Sequence, residues 1–230
     1  MRQPIFDVTK AQPPIVGELA YRRAHFRLPK EQKTVYLTFD DGPVPIYTPQ
    51  VLNILQEYNV PATFFMVGEN VTKFPEVFEQ VKNAGHAFGS HTYNHLKGWV
   101  TDNKTYLANV EKGVEVVGSK LFRPPYGKIG PLQAKKLYSH LHVIMWDIIT
   151  MDYDHSLSGE DCFQNVKNYV RNGSIIVFHD SPKSEKNLLY ALPKTIEYLK
   201  KENYTFAPHT KHLLQLLIIT SNLLLILIYS

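Results

Sequence analysis

Strand-like and helix-like segments alternate along most of this chain, and the alternation strongly constrains the fold. Alternating or continuous apolar runs predict strands, and apolar residues at helical spacing predict the helices between them. Strands that alternate with helices pair in parallel and are covered on both faces. Seven such units approach the eight of a closed β/α barrel, so the chain is predicted to form a parallel α/β fold. The predicted strands lie in Thr34–Pro43, Thr63–Val67, His86–Gly89, Leu121–Arg123, His142–Asp147, Ser174–His179 and Tyr204–Ala207.

The helices between these strands carry recognisable start signals. Thr48 followed by Pro49 predicts an N-cap with proline at the first helical position, and Ser158 with Asp161 predicts a capping box. Further helices are predicted after Phe74-Pro75 as far as Gly85, and over Asp102–Val117, Leu132–Leu141, Ser158–Val170 and Leu192–Lys201.

Polar side chains follow the predicted strands at the points where the strands end. The carboxyl ends of parallel strands meet at one rim of a barrel, where such folds gather their active sites. The sequence therefore predicts an active site at this rim. The groups concerned are Asp40 and Asp41, His91 and His95, Arg123–Tyr126, Asp147–Asp154, and His179-Asp180.

Two of these groups have the composition of a metal site. His91 and His95 are four residues apart, a spacing that on a helical turn places both imidazoles on one face. Two imidazoles and one carboxylate form the three-ligand open site of hydrolytic zinc, and Asp40 and Asp41 can supply the carboxylate. Ferrous iron fits the same ligands, but zinc is preferred because nothing else in the chain suggests redox work. The second aspartate is then available to take a proton.

Two further segments predict positioned polar groups. The prolines in Arg123–Gly127 stiffen the backbone, so this segment could direct one guanidinium and one backbone N–H at a fixed point. His179 follows a fully apolar strand, and a nearby acid, Asp152 or Asp147, could tune it as a proton donor.

Taken in order, these segments resemble the five motifs of the polysaccharide deacetylase family, the NodB-homology domain of family 4 carbohydrate esterases. The similarity covers roughly Lys33–Ala207, and five ordered motifs are far more specific than any one of them. The motifs are Thr38–Gly42, His91–His95, Arg123–Gly127, Trp146–Tyr153 and Ile176–Asp180.

The resemblance implies a distorted, incomplete (β/α) barrel of about seven parallel strands that removes acetyl groups from sugar polymers. By position, Asp41, His91 and His95 match the metal ligands, with zinc expected and cobalt or nickel as alternatives. The remaining matches are Asp40 as the general base, Arg123 as the residue that orients it, the Tyr126 backbone N–H as the oxyanion donor, and His179 as the general acid partnered by Asp152.

The fourth motif departs from the family pattern. An Asp-Trp pair usually closes the groove in this family, whereas here Asp152 is followed by Tyr153. Asp147 therefore stays a second candidate for the partner of His179. The aromatic platform for the substrate is predicted among Tyr153, Tyr126 and Trp99.

Composition limits the other functional classes. The 230 residues are 44% hydrophobic, enough for a substantial core in one main domain. The predicted division is a leader at 1–32, a deacetylase domain at 33–207 and an apolar tail at 208–230. Basic and acidic residues, 25 against 21, are spread along the chain without a long basic block, so nucleic-acid binding is not indicated. The single cysteine, Cys162, excludes an intrachain disulfide and a cysteine-based zinc site.

The two ends of the chain bear on localisation. The first residues, MRQPIFDVTKAQPP, lack the apolar core of a signal peptide. Leu213–Tyr229 is uncharged and close to the lower limit for spanning a bilayer. It is interpreted as a tail anchor, as a barrel-closing or interfacial helix, or as an aberrant end of the reading frame. Lys200, Lys201 and Lys211 precede it, so the expected location is cytoplasmic, either free or anchored by this tail.

The sequence thus predicts a metal-dependent de-N-acetylase of an N-acetylglucosamine-containing glycan or glycoconjugate. An O-acetyl esterase or another C–N hydrolase would use the same site. A catalytically silent glycan-binding module and a membrane-bound scaffold are the alternatives from other classes. Oligomeric state does not follow from the sequence.

Overall fold

A single parallel sheet organises the protein. The computed structural model describes residues 11–13, 21–28 and 33–209. In chain order its strands are β1 Thr34–Asp40, β2 Thr63–Met66, β3 Ala87–Ser90, β4 Leu121–Phe122, β5 His142–Val143, β6 Ile148–Ile149, β7 Ile175–His179 and β8 Thr205–Phe206. The α-helices are α1 Tyr47–Glu57, α2 Gly68–Lys73, α3 Pro75–Asn83, α4 Asn103–Val117, α5 Pro131–Leu137, α6 Gly159–Tyr169 and α7 Glu185–Lys201.

The sheet curls into an open barrel. Its strand order is β5-β4-β3-β2-β1-β7-β6, every pair is parallel, and β8 pairs with the start of β1. Helices pack on the outer face, because each parallel connection has to cross back over the sheet. The predicted incomplete α/β barrel is confirmed.

Strand β1 lies in the middle of the sheet and sorts its side chains by period two. Val35, Leu37 and Phe39 belong to the apolar cluster that also includes side chains of α1, α6 and α7. Tyr36 points to the other face and packs in a second cluster with side chains of β2, β4 and β7. Since alternate residues of a strand share a face, Asp40 leaves β1 on the face of Tyr36.

The predicted strand His142–Asp147 is correct only for its first two residues, which form β5. The next strand, β6, begins after it at Ile148, and β5 and β6 are the two edge strands of the open barrel. The connecting residues 144–147 cross between these edges, where Met145 N–H donates to His25 O at 2.8 Å and Asp147 N–H donates to Ile175 O at 3.0 Å. An apolar run predicts burial, but it does not reveal that the chain crosses from one edge strand of the sheet to the other.

Several local predictions are corrected and one is confirmed. Thr48 does not cap α1, because the helix begins at Tyr47 and the Thr48 hydroxyl accepts from Val44 N–H and donates to Asp180. Helix α2 was not predicted, and α5 ends four residues before the predicted Leu141. The capping box of Ser158 with Asp161 is present at the start of α6.

Most of the predicted leader and all but the first two residues of the predicted apolar tail lie outside the described residues, and the domain boundaries at 32 and 207 remain predictions. Among the residues that the structure describes, no helix combines the length and the apolar character needed to cross a bilayer.

Candidate active site

A cleft of about 130 Å³ opens at the carboxyl edge of the sheet. Most of the predicted site residues meet there, because β1, β3, β4 and β7 all end at this edge. Arg123 and Asp152 are fully buried and support residues that face the cleft. The lining residues are Asp40, Asp41, His91, His95, Tyr126, Trp146, Ile149, Tyr153, His179 and Lys183.

Strained backbone is concentrated around this cleft. Eight non-glycine residues of the described chain have positive φ, and five of them lie in the loops that form the site. Each such residue costs on the order of 1–3 kcal/mol, so the surrounding structure has to hold it in place. The five are Asp41, Thr92, His95, Tyr126 and Met151.

Asp40 is held by a fully buried arginine. The Arg123 Nη1 donates to Asp40 Oδ1 at 2.7 Å and to Thr38 Oγ1 at 2.8 Å. Its other nitrogens donate to the carbonyls of Ile144 and Met145 at 3.3 and 3.0 Å. Burial lowers the pKa of Arg123 and the adjacent Asp40 opposes that shift, but a guanidinium remains charged in proteins. A permanent positive charge therefore fixes the Asp40 carboxylate.

Asp41 faces the two histidines because the chain turns at the end of β1. Its φ of 84° breaks the strand alternation and brings its carboxylate into the same cleft as that of Asp40. Asp41 Oδ1 lies 3.2 Å from His95 Nε2 and 3.9 Å from His91 Nε2. Burial by itself would raise the pKa of Asp41, but the hydrogen bond with His95 and nearby positive charges hold it well below its usual range.

These three residues form a donor set that suits a divalent transition metal. One ligand atom from each of Asp41, His91 and His95 lies within 4.8 Å of the others. His91 Nδ1 lies 2.8 Å from the Arg123 carbonyl, so Nδ1 carries the proton and Nε2 keeps its lone pair. Burial lowers the pKa of His91 to about 4, which keeps its imidazole neutral, as metal binding requires. The group fits zinc and related ions.

The predicted helical turn between these histidines is not present. Residues 91–95 form an irregular turn in which Thr92 and His95 both have positive φ. The imidazole centroids are nevertheless 5.0 Å apart. The spacing predicted the proximity of the two rings but not the backbone that produces it.

His179 is paired with Asp152. Its Nδ1 lies 2.7 Å from Asp152 Oδ1, and its backbone N–H donates to Asp152 Oδ2 at 2.8 Å. Burial lowers the pKa of His179, but the charge and hydrogen bond of Asp152, with the charges of Asp41 and Asp40, outweigh it and raise the pKa to about 9. The imidazole is therefore positively charged at neutral pH.

Asp147, the other candidate for this pairing, lies at the amino edge of the sheet, where the parallel strands begin. It directly precedes β6, and its carboxylate is bound by Arg171 and by Ser174 Oγ at 2.7 Å. The prediction that the whole segment Asp147–Asp154 lies at the carboxyl rim is thus wrong for its first residue.

The aromatic side chains of the cleft differ in part from the predicted set. Tyr126 packs edge-on against His95 and Tyr153 edge-on against His179, with ring centroids 4.8 and 4.9 Å apart. Trp99 is absent from the cleft lining, and its Nε1 donates to the Ile129 carbonyl. Trp146, which the sequence assigned to a strand, lines the cleft from the segment that crosses between β5 and β6.

Sequence reasoning missed two polar partners of Asp41. Lys183 Nζ lies 2.9 Å from Asp41 Oδ2, and Ser181 Oγ donates to the same oxygen at 3.3 Å. The two oxygens of Asp41 are thus divided, with Oδ1 toward the histidines and Oδ2 toward the loop after β7. That loop has no apolar period, and its only signal was its place after a strand end.

Asp180 stabilises the turn after β1 that carries Asp41. Its fully buried carboxylate accepts from Thr48 Oγ1 at 2.5 Å and from Gly42 N–H at 3.1 Å. A Cβ on residue 42 would collide with this carboxylate, so the position requires glycine. Burial raises the pKa of Asp180 to about 8, with the negative charge of Asp41 adding to the shift and the Thr48 bond opposing it.

Comparison with known proteins identifies the family. The polysaccharide deacetylase family model matches residues 27–141. A peptidoglycan-N-acetylglucosamine deacetylase of Bacillus cereus is 34% identical over 189 residues, which cover 79% of this chain and 68% of the relative. A chitooligosaccharide deacetylase of Azorhizobium caulinodans is 31% identical over 172 residues, covering 67% of this chain and 77% of the relative.

The fold comparison agrees. The solved structure of the Bc1960 peptidoglycan N-acetylglucosamine deacetylase in complex with 4-naphthalen-1-yl-N-oxidanyl-benzamide superposes with a TM-score of 0.79 at 32% identity. The match covers 86% of this chain and 96% of that one. A family model that spans half of the sequence and relatives matched over two thirds or more of their length show that this chain belongs to the polysaccharide deacetylase family.

Proposed function

We propose that this protein is a divalent-metal-dependent hydrolase that removes N-acetyl groups from a glycan or glycoconjugate containing N-acetylglucosamine and releases acetate. The observation that carries the proposal is the arrangement of charge around one small cleft. An arginine-held carboxylate, Asp40, and a positively charged imidazole, His179, both face the space beside the Asp41, His91 and His95 ligand set. The relatives named above act on such glycans.

Asp41, His91 and His95 would hold the metal, which we propose to be zinc, with cobalt or nickel as alternatives. When bound there, the ion supplies Lewis-acid polarisation of the acetyl carbonyl and makes water a stronger acid. Neighbouring groups hold two of these ligands in position. The Arg123 carbonyl orients His91, and Lys183 and Ser181 bind the second oxygen of Asp41.

Asp40 acts as the general base. It takes a proton from the attacking water while the hydrogen bond from Arg123 holds its carboxylate in position. The Tyr126 N–H is the proposed donor to the oxyanion that develops on the acetyl oxygen. Tyr126 lines the cleft with a left-handed backbone, and the described residues supply no acceptor to its N–H. A fixed, unoccupied N–H is what oxyanion stabilisation requires.

His179 acts as the general acid. The amide nitrogen is a poor leaving group until it gains a proton, and the charged imidazole supplies one as the C–N bond breaks. Asp152 keeps that imidazole protonated and fixes its ring. Water and the amide are thereby converted to acetate and a free amine, and the proton taken by Asp40 balances the proton given by His179.

The proposal is tested by measuring the acetate that the full-length protein releases from glycan substrates. N-acetylglucosamine oligomers and peptidoglycan fragments are incubated with the protein as purified, with chelator, and with zinc or cobalt restored. We expect release that chelator abolishes and metal restores. Turnover of acetyl esters without turnover of amides would select the O-acetyl esterase. Saccharide binding without hydrolysis of either substrate class would select the binding module and reject the enzyme.

A further inference from the structure

A second concavity, larger than the active-site cleft, lies at the amino edge of the sheet. Its volume is about 770 Å³. Helices α1 and α3 run from the carboxyl edge back to the amino edge. Its two walls are α1, from Pro49 to Gln56, and the last turn of α3. The turns that lead into β2 and β3 close it at the amino edge, and none of its lining residues lines the active-site cleft.

The groove has an unusual lining. Five carboxamide side chains point into it, from both helices and the turn after α1: Asn53, Gln56, Asn59, Gln80 and Asn83. Within the described residues, none of these five side chains makes a hydrogen bond to another protein group. None of the described lining residues is an acid, a lysine or an arginine, although a fifth of the chain is charged.

His86 adds a fixed donor at the base of the groove. Its Nδ1 accepts from Ala62 N–H at 3.3 Å, and burial lowers its pKa. The neutral ring then carries its proton on Nε2. Pro49, Leu52 and Pro61 supply apolar surface beside these polar groups.

The ligand class follows from this chemistry. Two helix C-termini at the walls contribute partial negative charge, which disfavours an anion. A divalent cation would need carboxylate ligands, which the described lining lacks. Carboxamides donate and accept together, as do sugar hydroxyls, and small apolar patches suit the C–H faces of a pyranose.

We propose that this groove is a second, non-catalytic binding site for a neutral stretch of saccharide. The choice of N-acetylglucosamine units as ligand rests on the proposed function. A polymer held at the groove raises the effective concentration of its other segments at the catalytic cleft, without taking part in the chemistry. The site would matter for long or insoluble substrates and not for short soluble ones.

The test uses chitotetraose and the full chain carrying Asp40→Asn, which prevents hydrolysis during titration. Backbone and side-chain amide signals are followed by NMR. We expect saturable shifts at Asn83 to Gly85 and in the groove carboxamides, separate from shifts at Tyr126 and Tyr153 in the cleft. Gln56→Ala combined with Gln80→Ala, both exposed positions, should weaken groove binding about tenfold.

In the otherwise native chain, this double variant should keep kcat/KM on soluble chitobiose or chitotriose within about twofold and lower the initial rate on insoluble chitin several-fold. Asn168→Ala, an exposed carboxamide on α6 outside the groove, serves as the matched control and should change neither. Shifts confined to the cleft, or groove shifts unchanged by the double variant, would overturn the inference. Absence of acetate release with intact groove binding would instead reject the proposed function and leave this site standing.

Discussion

Two buried aspartates of one chain segment, Asp147 and Asp152, lie at opposite edges of the parallel sheet and meet different partners. At the amino edge, Asp147 is bound by Arg171, by Ser174 and, at 3.8 Å, by Arg27. At the carboxyl edge, Asp152 is bound to a histidine and Asp41 faces two. Arginine stays protonated in proteins, whereas imidazole titrates near neutral pH and binds metals.

The contrast shows why burial and charge do not by themselves identify the active site. Asp147 and Asp152 are equally buried and only five residues apart. For this pair the partner distinguishes the two roles. Asp40 also binds an arginine, but unlike Asp147 it lines the cleft. The local backbone gives a further indication, because Met151, beside Asp152, has positive φ, whereas Asp147 and its two neighbours do not. Substitutions at the two edges should therefore separate activity from stability.

The largest expected effect is loss of the general base. Asp40→Asn keeps the shape of the side chain but cannot accept a proton from water, so kcat/KM should fall by about a thousandfold. Metal content should stay at the native level, since Asp40 is not a proposed ligand. The measurement is acetate release alongside metal analysis of the same sample. Activity within tenfold of native in a folded sample would remove Asp40 from this role.

Loss of a metal ligand should come next. His95→Ala removes one of three donors and should weaken zinc affinity by about a hundredfold or more, as measured by competition with a chromophoric chelator. His140→Ala is the matched control, because this exposed histidine pairs with Glu111 away from the cleft. Equal affinity in the two variants would contradict the proposed ligand set.

The third prediction concerns the pair of His179 and Asp152. Since Asp152 is a main cause of the raised pKa of about 9, Asp152→Asn should let burial dominate and move the basic limb of kcat/KM from near pH 9 to below 6.5. At pH 7.5 the rate should fall about 10- to 100-fold. A pH–rate profile checks this, and an unchanged basic limb would show that another group is the acid.

The same pair has a consequence for folding stability. The pKa of His179 is higher in the folded chain than its ordinary value of 6.5. Its contribution is therefore fully present below about pH 6.5 and is lost as pH rises through about 9. Urea unfolding at pH 6 and pH 9.5 should show this loss in the native chain, and a smaller one in His179→Gln.

Much of this site was predictable from the sequence, and the reasons are local. The alternation of β1 determines that Asp40 shares a face with Tyr36, and the glycine and proline after it announce the turn that brings in Asp41. The spacing of His91 and His95 predicts neighbouring rings. Ordered motifs then place five strand ends at one rim, which any parallel barrel would bring together.

What could not be predicted depends on long-range geometry. Within the continuous apolar run before Asp147 the chain crosses from one edge strand, β5, toward the other, β6, and the run does not show this. Trp146 and Asp147 were therefore placed incorrectly. Whether Asp147 or Asp152 pairs with His179 is decided by which end of β6 each one occupies. Lys183 lies in a loop without apolar period, and only the folded chain brings its ammonium to Asp41.

The smallest effect on activity is expected at the amino edge. Asp147→Asn removes the charge that binds two arginines, but Arg171 is 47% exposed and can regain water. The loss of stability should therefore be about 1–3 kcal/mol, below the full cost of breaking an enclosed pair. For a chain of this size, that lowers Tm by roughly 2–12 °C. Calorimetry should detect this shift, while kcat/KM of the folded protein at 25 °C should stay within about twofold of native. A large loss of activity without a loss of stability would mean that the two edges do not divide structure from chemistry. Asp147 would then have to act on the cleft through the residues of β6.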